Sequence, residues 1–217
     1  MAWALPLCLL TLCPLLTSCS EEDDTEEEFV DWQERNMAYF NNLYQTTKAK
    51  IDAGDTTWKI IPSWLLVDEA ATLPTDYIIV HVLKEGTGSG CPIYTDKVRV
   101  HYQGRLLPSA SYSGGYVFDS SWTGTFDPET AKPFERNVSG LIDGWITALE
   151  QMHIGDHWMV YIPYTLGYGT TGSPGTATSL RIPGYSTLIF DMTLQAYWRS
   201  DADVPDLKAK QGQWIEE

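Results

Sequence analysis

Two hydrophobic periods divide this chain. From Phe29 to Asp52, apolar residues at 29, 30, 32, 37, 40, 43 and 44 recur at helical spacing, which predicts an amphipathic helix broken near Gly54. From Tyr77 onward the spacing falls to two. "YIIVHVL" (77–83) is rich in β-branched residues, and "KVRVHY" (97–102) sets Val98, Val100 and Tyr102 on one face with Arg99 and His101 on the other. "HWMVYI" (157–162) and "TLIFDMTLQAYW" (187–198) read as further strands, and in the latter Leu188, Phe190, Met192, Leu194 and Ala196 share a face. One-sided alternation of this kind predicts an antiparallel sheet that buries one face. The helical period returns once between strands, in "GLIDGWITALEQM" (140–152), where Ile142, Trp145, Ile146, Leu149 and Met152 form a stripe. The fold class is therefore α+β, with one short central helix and an N-terminal helical extension. Residues 55–75 read as a connecting segment, "GTGSG" (86–90) as a hairpin turn, and the polar tail 199–217 as frayed.

Composition adds a location to this picture. The 217 residues are 43% hydrophobic and 12% aromatic, enough for one packed domain with extensions. Residues 1–18 form an apolar run that reads as a cleaved signal peptide, too short for a membrane span. It ends at Leu16-Thr17-Ser18-Cys19, which resembles the lipobox of bacterial lipoproteins, although no Lys or Arg precedes it. That resemblance implies a lipid on the Cys19 thiol, which makes the membrane a partner. Cys8 and Cys13 leave with the signal, so Cys91 is the one thiol of the mature body and an internal disulfide is excluded. From Ser20 to Glu28 the chain carries seven acids in nine residues, nearly half of its net charge of −15. Residues 19–28 thus read as a lipidated cysteine with a solvated acidic tether, and the segment also resembles the acidic export signal of some surface lipoproteins. The acidic balance argues against nucleic-acid binding, which needs clustered cations.

Several chemistries have little support. His153 and His157 are four residues apart, but Gly155-Asp156 breaks the helix that would align them on a metal. "GTGSG" lacks the lysine and following helix of a phosphate loop, and no nucleophile elbow or paired cysteine motif occurs. The reading calls for no cofactor. What remains is a series of aromatic and apolar residues with few polar partners.

That series is specific in its order. "VRVHYQGRL" (98–106), "VFDSSW" (117–122), "KPFERNVSGLIDGWITALEQMHIGD" (132–156), "MVYIPYTLGYGTTGSPG" (159–175) and "IPGYSTLIFDMTLQAY" (182–197) resemble an FKBP-type peptidyl-prolyl cis-trans isomerase domain spanning about residues 76–198, after the helical extension 29–75. The resemblance implies a bent antiparallel sheet, a half-barrel, wrapped around the short helix, with a proline pocket between them. Tyr102, Phe118, Asp119, Ile142, Trp145 and Tyr168 are the implied catalytic residues, and Phe134, Leu141, Ile182 and Phe190 complete the substrate pocket. Trp145 is its floor, the Ile142 N–H and Tyr168 hydroxyl hold carbonyls, and Asp119 is oriented by Tyr102. On pattern alone Phe190 and Tyr102 are equally well core residues, and Asp119 a turn cap. Gly144, a poor helix former, is expected to leave room for substrate beside the indole.

The chain departs from the family pattern around the pocket mouth. "LPSASYSGGY" (107–116) lengthens a hairpin, "WTGTFDPETA" (122–131) replaces a short basic bulge, and Arg136 stands where a second aromatic is common. The implied activity is isomerisation of Xaa-Pro bonds in exported proteins at the outer membrane, on its periplasmic face or the cell surface. Expected partners are proline-containing unfolded or exported polypeptides and macrolide-type pocket ligands. A low-turnover proline-binding chaperone or adaptor is the competing reading.

Overall fold

The computed structural model describes Met1 and residues 28–66, 70–128, 130–176, 179–199 and 212–216. The predicted leader beyond Met1, Cys19 and the acidic tether up to Glu27 lie outside the described residues. Two helices and eight strands follow in chain order: α1 (Trp32–Asp52), β1 (Trp58–Pro62), β2 (Tyr77–Lys84), β3 (Lys97–Arg105), β4 (Val117–Ser120), β5 (Phe134–Asn137), α2 (Asp143–Leu149), β6 (His157–Ile162), β7 (Leu188–Arg199) and β8 (Gln213–Ile215).

The strands form one antiparallel sheet in the order β1-β2-β6-β7-β3-β4, with β5 also paired to β3 and β8 to β7. The sheet bends around α2, the α+β half-barrel expected from sequence. Every α2 residue from Gly144 to Leu149 is buried, and Ile78, Val80, Val100, Trp158, Val160, Leu188, Met192 and Leu194 face it from the sheet in one hydrophobic cluster. Burying a side chain of this size contributes roughly 1.5–3 kcal/mol, so the stripe on α2 and the alternating strands stabilise each other.

Gly144 has a different role from the one expected. A Cβ there would lie 2.4 Å from Cγ2 of Ile162 on β6. The missing side chain lets α2 approach β6.

Four other features differ from the sequence expectations. The connecting segment contains β1, which pairs with β2 from Trp58↔His81 to Pro62↔Tyr77. "GTGSG" links β2 to β3, which are not neighbours in the sheet, so it is a crossover loop rather than a hairpin turn. The end of the tail is strand β8, seated where the Trp214 ring meets Trp198 at 6.0 Å and Arg99 at 3.9 Å. His101, placed by alternation on the solvated face, is 2% exposed. The loop after β4 covers it, with the Phe126 ring 5.2 Å away and Trp122 tilted against Phe126 at 4.4 Å. Alternation assigns a face, and only the remote loop decides whether that face meets water.

Helix α1 buries Trp32, Asn36, Phe40 and Thr47, while Val30 and Met37 of the predicted apolar set are exposed. Asn36 is buried because its amide is fully used: Oδ1 accepts the Thr187 N–H (2.8 Å) and Nδ2 donates to the Trp32 carbonyl (2.7 Å). Trp32 Nε1 donates to Ser186 Oγ (2.8 Å) and Arg35 to the Pro108 carbonyl (2.7 Å). The Ser109 hydroxyl and Ser111 N–H donate to Glu28, whose carboxyl is held below its ordinary range by those bonds. The extension is thereby fixed to the start of β7 and to the 107–116 hairpin.

Candidate active site

Where α2 meets the bent sheet, the core opens into a cavity of about 360 Å³. Tyr102, Phe118, Asp119, Phe134, Leu141, Ile142, Trp145, Tyr168 and Phe190 all line it. Of the residues expected from sequence only Ile182 does not. It is buried, bridged to Ser173 in the loop before β7. Arg136 and Gly140 complete the lining and were not on that expected set. The signal for Arg136 was available: it lies two residues after Phe134 on a strand, hence on the same face.

The walls are rings set edge to face, the favourable aromatic geometry. Trp145 stands at 88° to both Tyr102 (4.9 Å) and Phe190 (5.2 Å), and Phe118 stands at 88° to Phe190 (5.5 Å). Phe134 closes the side against Tyr102 at 5.3 Å. Gly104 on β3 makes this possible: a Cβ there would lie 2.6 Å from both Phe118 and Phe190. Period-two alternation brings Tyr102 and Phe190 inward, and the cross-strand pairs Gly104↔Asp119 and Gly104↔Phe190 bring β4 and β7 to the same wall.

The polar groups fall into two sets. The Tyr102 hydroxyl donates to Asp119 Oδ2 at 2.6 Å, and Asp119 Oδ1 accepts the Ser120 N–H at 2.9 Å, so this carboxylate is fixed in orientation. Burial, followed by the bond to Asp119 and its charge, raises the Tyr102 pKa. The Tyr168 hydroxyl is likewise raised by burial and by Asp119, so both phenols remain donors. In contrast, the Tyr168 hydroxyl and the Ile142 N–H have no acceptor among the described residues. Ile142 is the N-cap of α2, where backbone N–H groups have no partner within the helix.

Residues outside the sheet core hold α2 in place. Trp64 donates its indole N–H to Asp143 Oδ1 (3.1 Å) and its backbone N–H to Thr147 Oγ1 (3.2 Å), and its ring stacks on Tyr94 at 4.9 Å. Among the described residues no group of three or more His, Cys, Asp or Glu side chains is arranged to hold a metal. The cavity offers non-covalent chemistry: an apolar box, one oriented carboxylate, and the Tyr168 hydroxyl, Ile142 N–H and Arg136 guanidinium without acceptors among the described residues.

A bent antiparallel sheet closed on one helix, with an aromatic cavity at their junction, defines the class of domain. Residues 91–195 match the family model described as FKBP-type peptidyl-prolyl cis-trans isomerase, and through this domain the chain belongs to that family. It is 39% identical over 126 residues to the macrophage infectivity potentiator of Trypanosoma cruzi, covering 58% of this chain and 55% of the relative. With the FKBP-type 22 kDa peptidyl-prolyl cis-trans isomerase of Escherichia coli it shares 40% over 113 residues, covering 52% and 46% respectively. The outer membrane protein MIP of Legionella longbeachae is 31% identical over 180 residues, 83% of this chain and 66% of that protein. The chain spans about half the length of the first two relatives.

Proposed function

We propose that the chain is a peptidyl-prolyl cis-trans isomerase acting on Xaa-Pro bonds of exported polypeptides. The observation that carries this reading is the ring box with two donors lacking acceptors above a buried tryptophan. A prolyl amide turns slowly because twisting it forfeits about 18–20 kcal/mol of resonance. The twisted amide has less double-bond character and a less polar carbonyl than the planar one. A dry apolar cavity therefore favours the twisted form relative to the planar form, and a difference in favour of the transition state is what accelerates a reaction. Phe118, Phe134, Trp145 and Phe190 clasp the pyrrolidine ring, and Leu141 extends the apolar wall. The Ile142 N–H and Tyr168 hydroxyl donate to the flanking carbonyls. Asp119, oriented by Tyr102, lies beside the turning carbonyl. Macrolide-type ligands would compete for the same apolar box.

Cis/trans exchange of Xaa-Pro peptides tests the reading. The wild-type chain should accelerate exchange, and Trp145→Ala should lose on the order of 100-fold in kcat/KM, close to the loss of one strong transition-state contact. Peptide binding with no acceleration by the wild type would replace the enzyme with a proline-binding adaptor.

We further propose that residues 1–18 are removed and that Cys19 carries a lipid anchoring the domain, at 76–198, to the outer membrane. The outer-membrane relative supports this placement, as does the lipobox-like Leu16–Cys19. Acyl chains contribute roughly 0.8 kcal/mol per buried methylene, so more than one is needed to hold a soluble domain. Cys19→Ala should move the protein to the soluble fraction on membrane fractionation, and retention in the membrane would refute the anchor.

A further inference from the structure

We infer that Arg136 makes this site select proline bonds flanked by an acidic side chain. The inference rests on the prolyl-isomerase reading of the cavity and adds a substrate class to it.

β5 is four residues long, and its alternation sends Phe134 and Arg136 to the cavity. Glu135, between them, does not line the cavity; it accepts from Arg99 at 2.9 Å and pairs with Lys97 at 3.9 Å. The acid nearest in sequence is thus occupied elsewhere. Arg136 itself is exposed and has no hydrogen bond or ion pair with any described residue. It lies over Gly140, where a Cβ would be 3.6 Å from Arg136 Nε. The guanidinium runs along bare backbone at the cavity rim.

Arg136 and Gly140 also line a second, more polar depression of about 450 Å³, together with Lys97, Glu135, Asn137 and Ser139, and there Glu135 is already paired with Lys97 and Arg99. The guanidinium therefore stands on the sill between the aromatic box and that depression. A peptide whose proline fills the box and whose chain leaves across this sill brings its neighbouring side chain onto Arg136. The other charged group lining the box is the carboxylate of Asp119, which is not ion-paired to Arg136. The cavity thus has a negative and a positive wall, and an acidic neighbour is favoured on one of them. The planar, always-charged guanidinium suits a carboxylate better than an ammonium would.

Peptide pairs that differ only as Glu against Gln, placed directly before or directly after the proline, test this with the full chain. At low salt the Glu peptide should have a kcat/KM roughly two- to five-fold higher at one of the two positions, the range an exposed ion pair supplies. Arg136→Glu should turn that ratio below one. Lys48→Glu, an exposed position on α1, changes net charge by the same amount and should leave the ratio unchanged. A ratio of one or less at both positions, a ratio unaffected by Arg136→Glu, or an equal response to Lys48→Glu would overturn the inference. If no peptide is isomerised, the enzymatic reading fails separately. Calorimetric Kd values for the same pairs then decide: tighter Glu binding lost in Arg136→Glu upholds the selectivity, and equal binding refutes it.

Discussion

Two concave regions of this molecule are built from similar residues and differ in what their polar groups do. The cavity beside α2 and the groove between α1 and the domain, about 300 Å³ and lined in part by Phe40, Pro163, Tyr164 and Tyr185, are both aromatic and comparable in size. Under α1, Trp32 is bonded to Ser186, and Asn36 to Thr187 and the Trp32 carbonyl, while the buried Thr47 hydroxyl has no partner among the described residues. In the cavity, Tyr168 and the Ile142 N–H face open space, and Asp119 is held for a partner still to come. What separates them is charge held in place: the cavity carries a carboxylate fixed by two hydrogen bonds and a guanidinium at its rim, and among the described residues no ionisable carboxylate or cation lines the groove. Size and aromatic content do not separate the two.

Substitutions that act on stability in one region and on turnover in the other would sharpen this contrast. Trp32→Ala has the largest expected effect, a loss of about 3–5 kcal/mol of unfolding free energy, because it removes a buried indole and leaves the Ser186 contact empty. Denaturant titration measures this, and kcat/KM per folded molecule should stay near wild type. A large specific loss of turnover would mean the seam belongs to the site. Gly144→Ala comes next. Its new Cβ meets Ile162, so about 1–3 kcal/mol of stability should be lost through overpacking. A stable Gly144→Ala with impaired peptide binding would restore the substrate-access role. Tyr168→Phe deletes one hydrogen bond to substrate, about 0.5–1.5 kcal/mol, and should lower kcat/KM several-fold with the melting temperature unchanged.

The smallest effect is on pH dependence. Burial lowers the His101 pKa below its ordinary value of 6.5, and both ring nitrogens lack hydrogen-bond partners. The unfolded chain therefore binds the proton more tightly than the folded one. His101 carries no penalty above that ordinary value, and stability falls as pH drops through it toward the lowered folded pKa. Wild type and His101→Leu should diverge in urea midpoint between pH 8 and pH 5, with the wild type losing more. Parallel curves would mean that His101 takes up its proton as readily in the folded chain as in the unfolded one.

Strand alternation in "KVRVHY" and "TLIFDMTLQAYW" and the stripe in α2 were readable because each depends on neighbours two to four residues away. The ordered motifs pointed to the cavity residues, yet Arg136 was read as a departure and not as a wall. Ile182, named by its motif, is buried in the loop before β7 and does not line the cavity. β1 was missed because five residues with a proline at the end carry little periodic signal, and pairing with β2 is what orders them. Asn36 entered the interior, against its polarity, because Thr187 lies far along the chain with an amide to satisfy.

By itself the sequence determined the α+β class, the buried stripe of α2, the aromatic identity of the cavity walls and the acidic balance of the chain. These follow from side-chain period and composition, which are local. Tertiary structure alone decided that His101 is buried, that Gly144 faces Ile162, that Trp64 holds α2, and that Arg136 stands unpaired at the rim. Each of those depends on a contact between residues distant in sequence, where packing and hydrogen-bond satisfaction, rather than propensity, set the outcome.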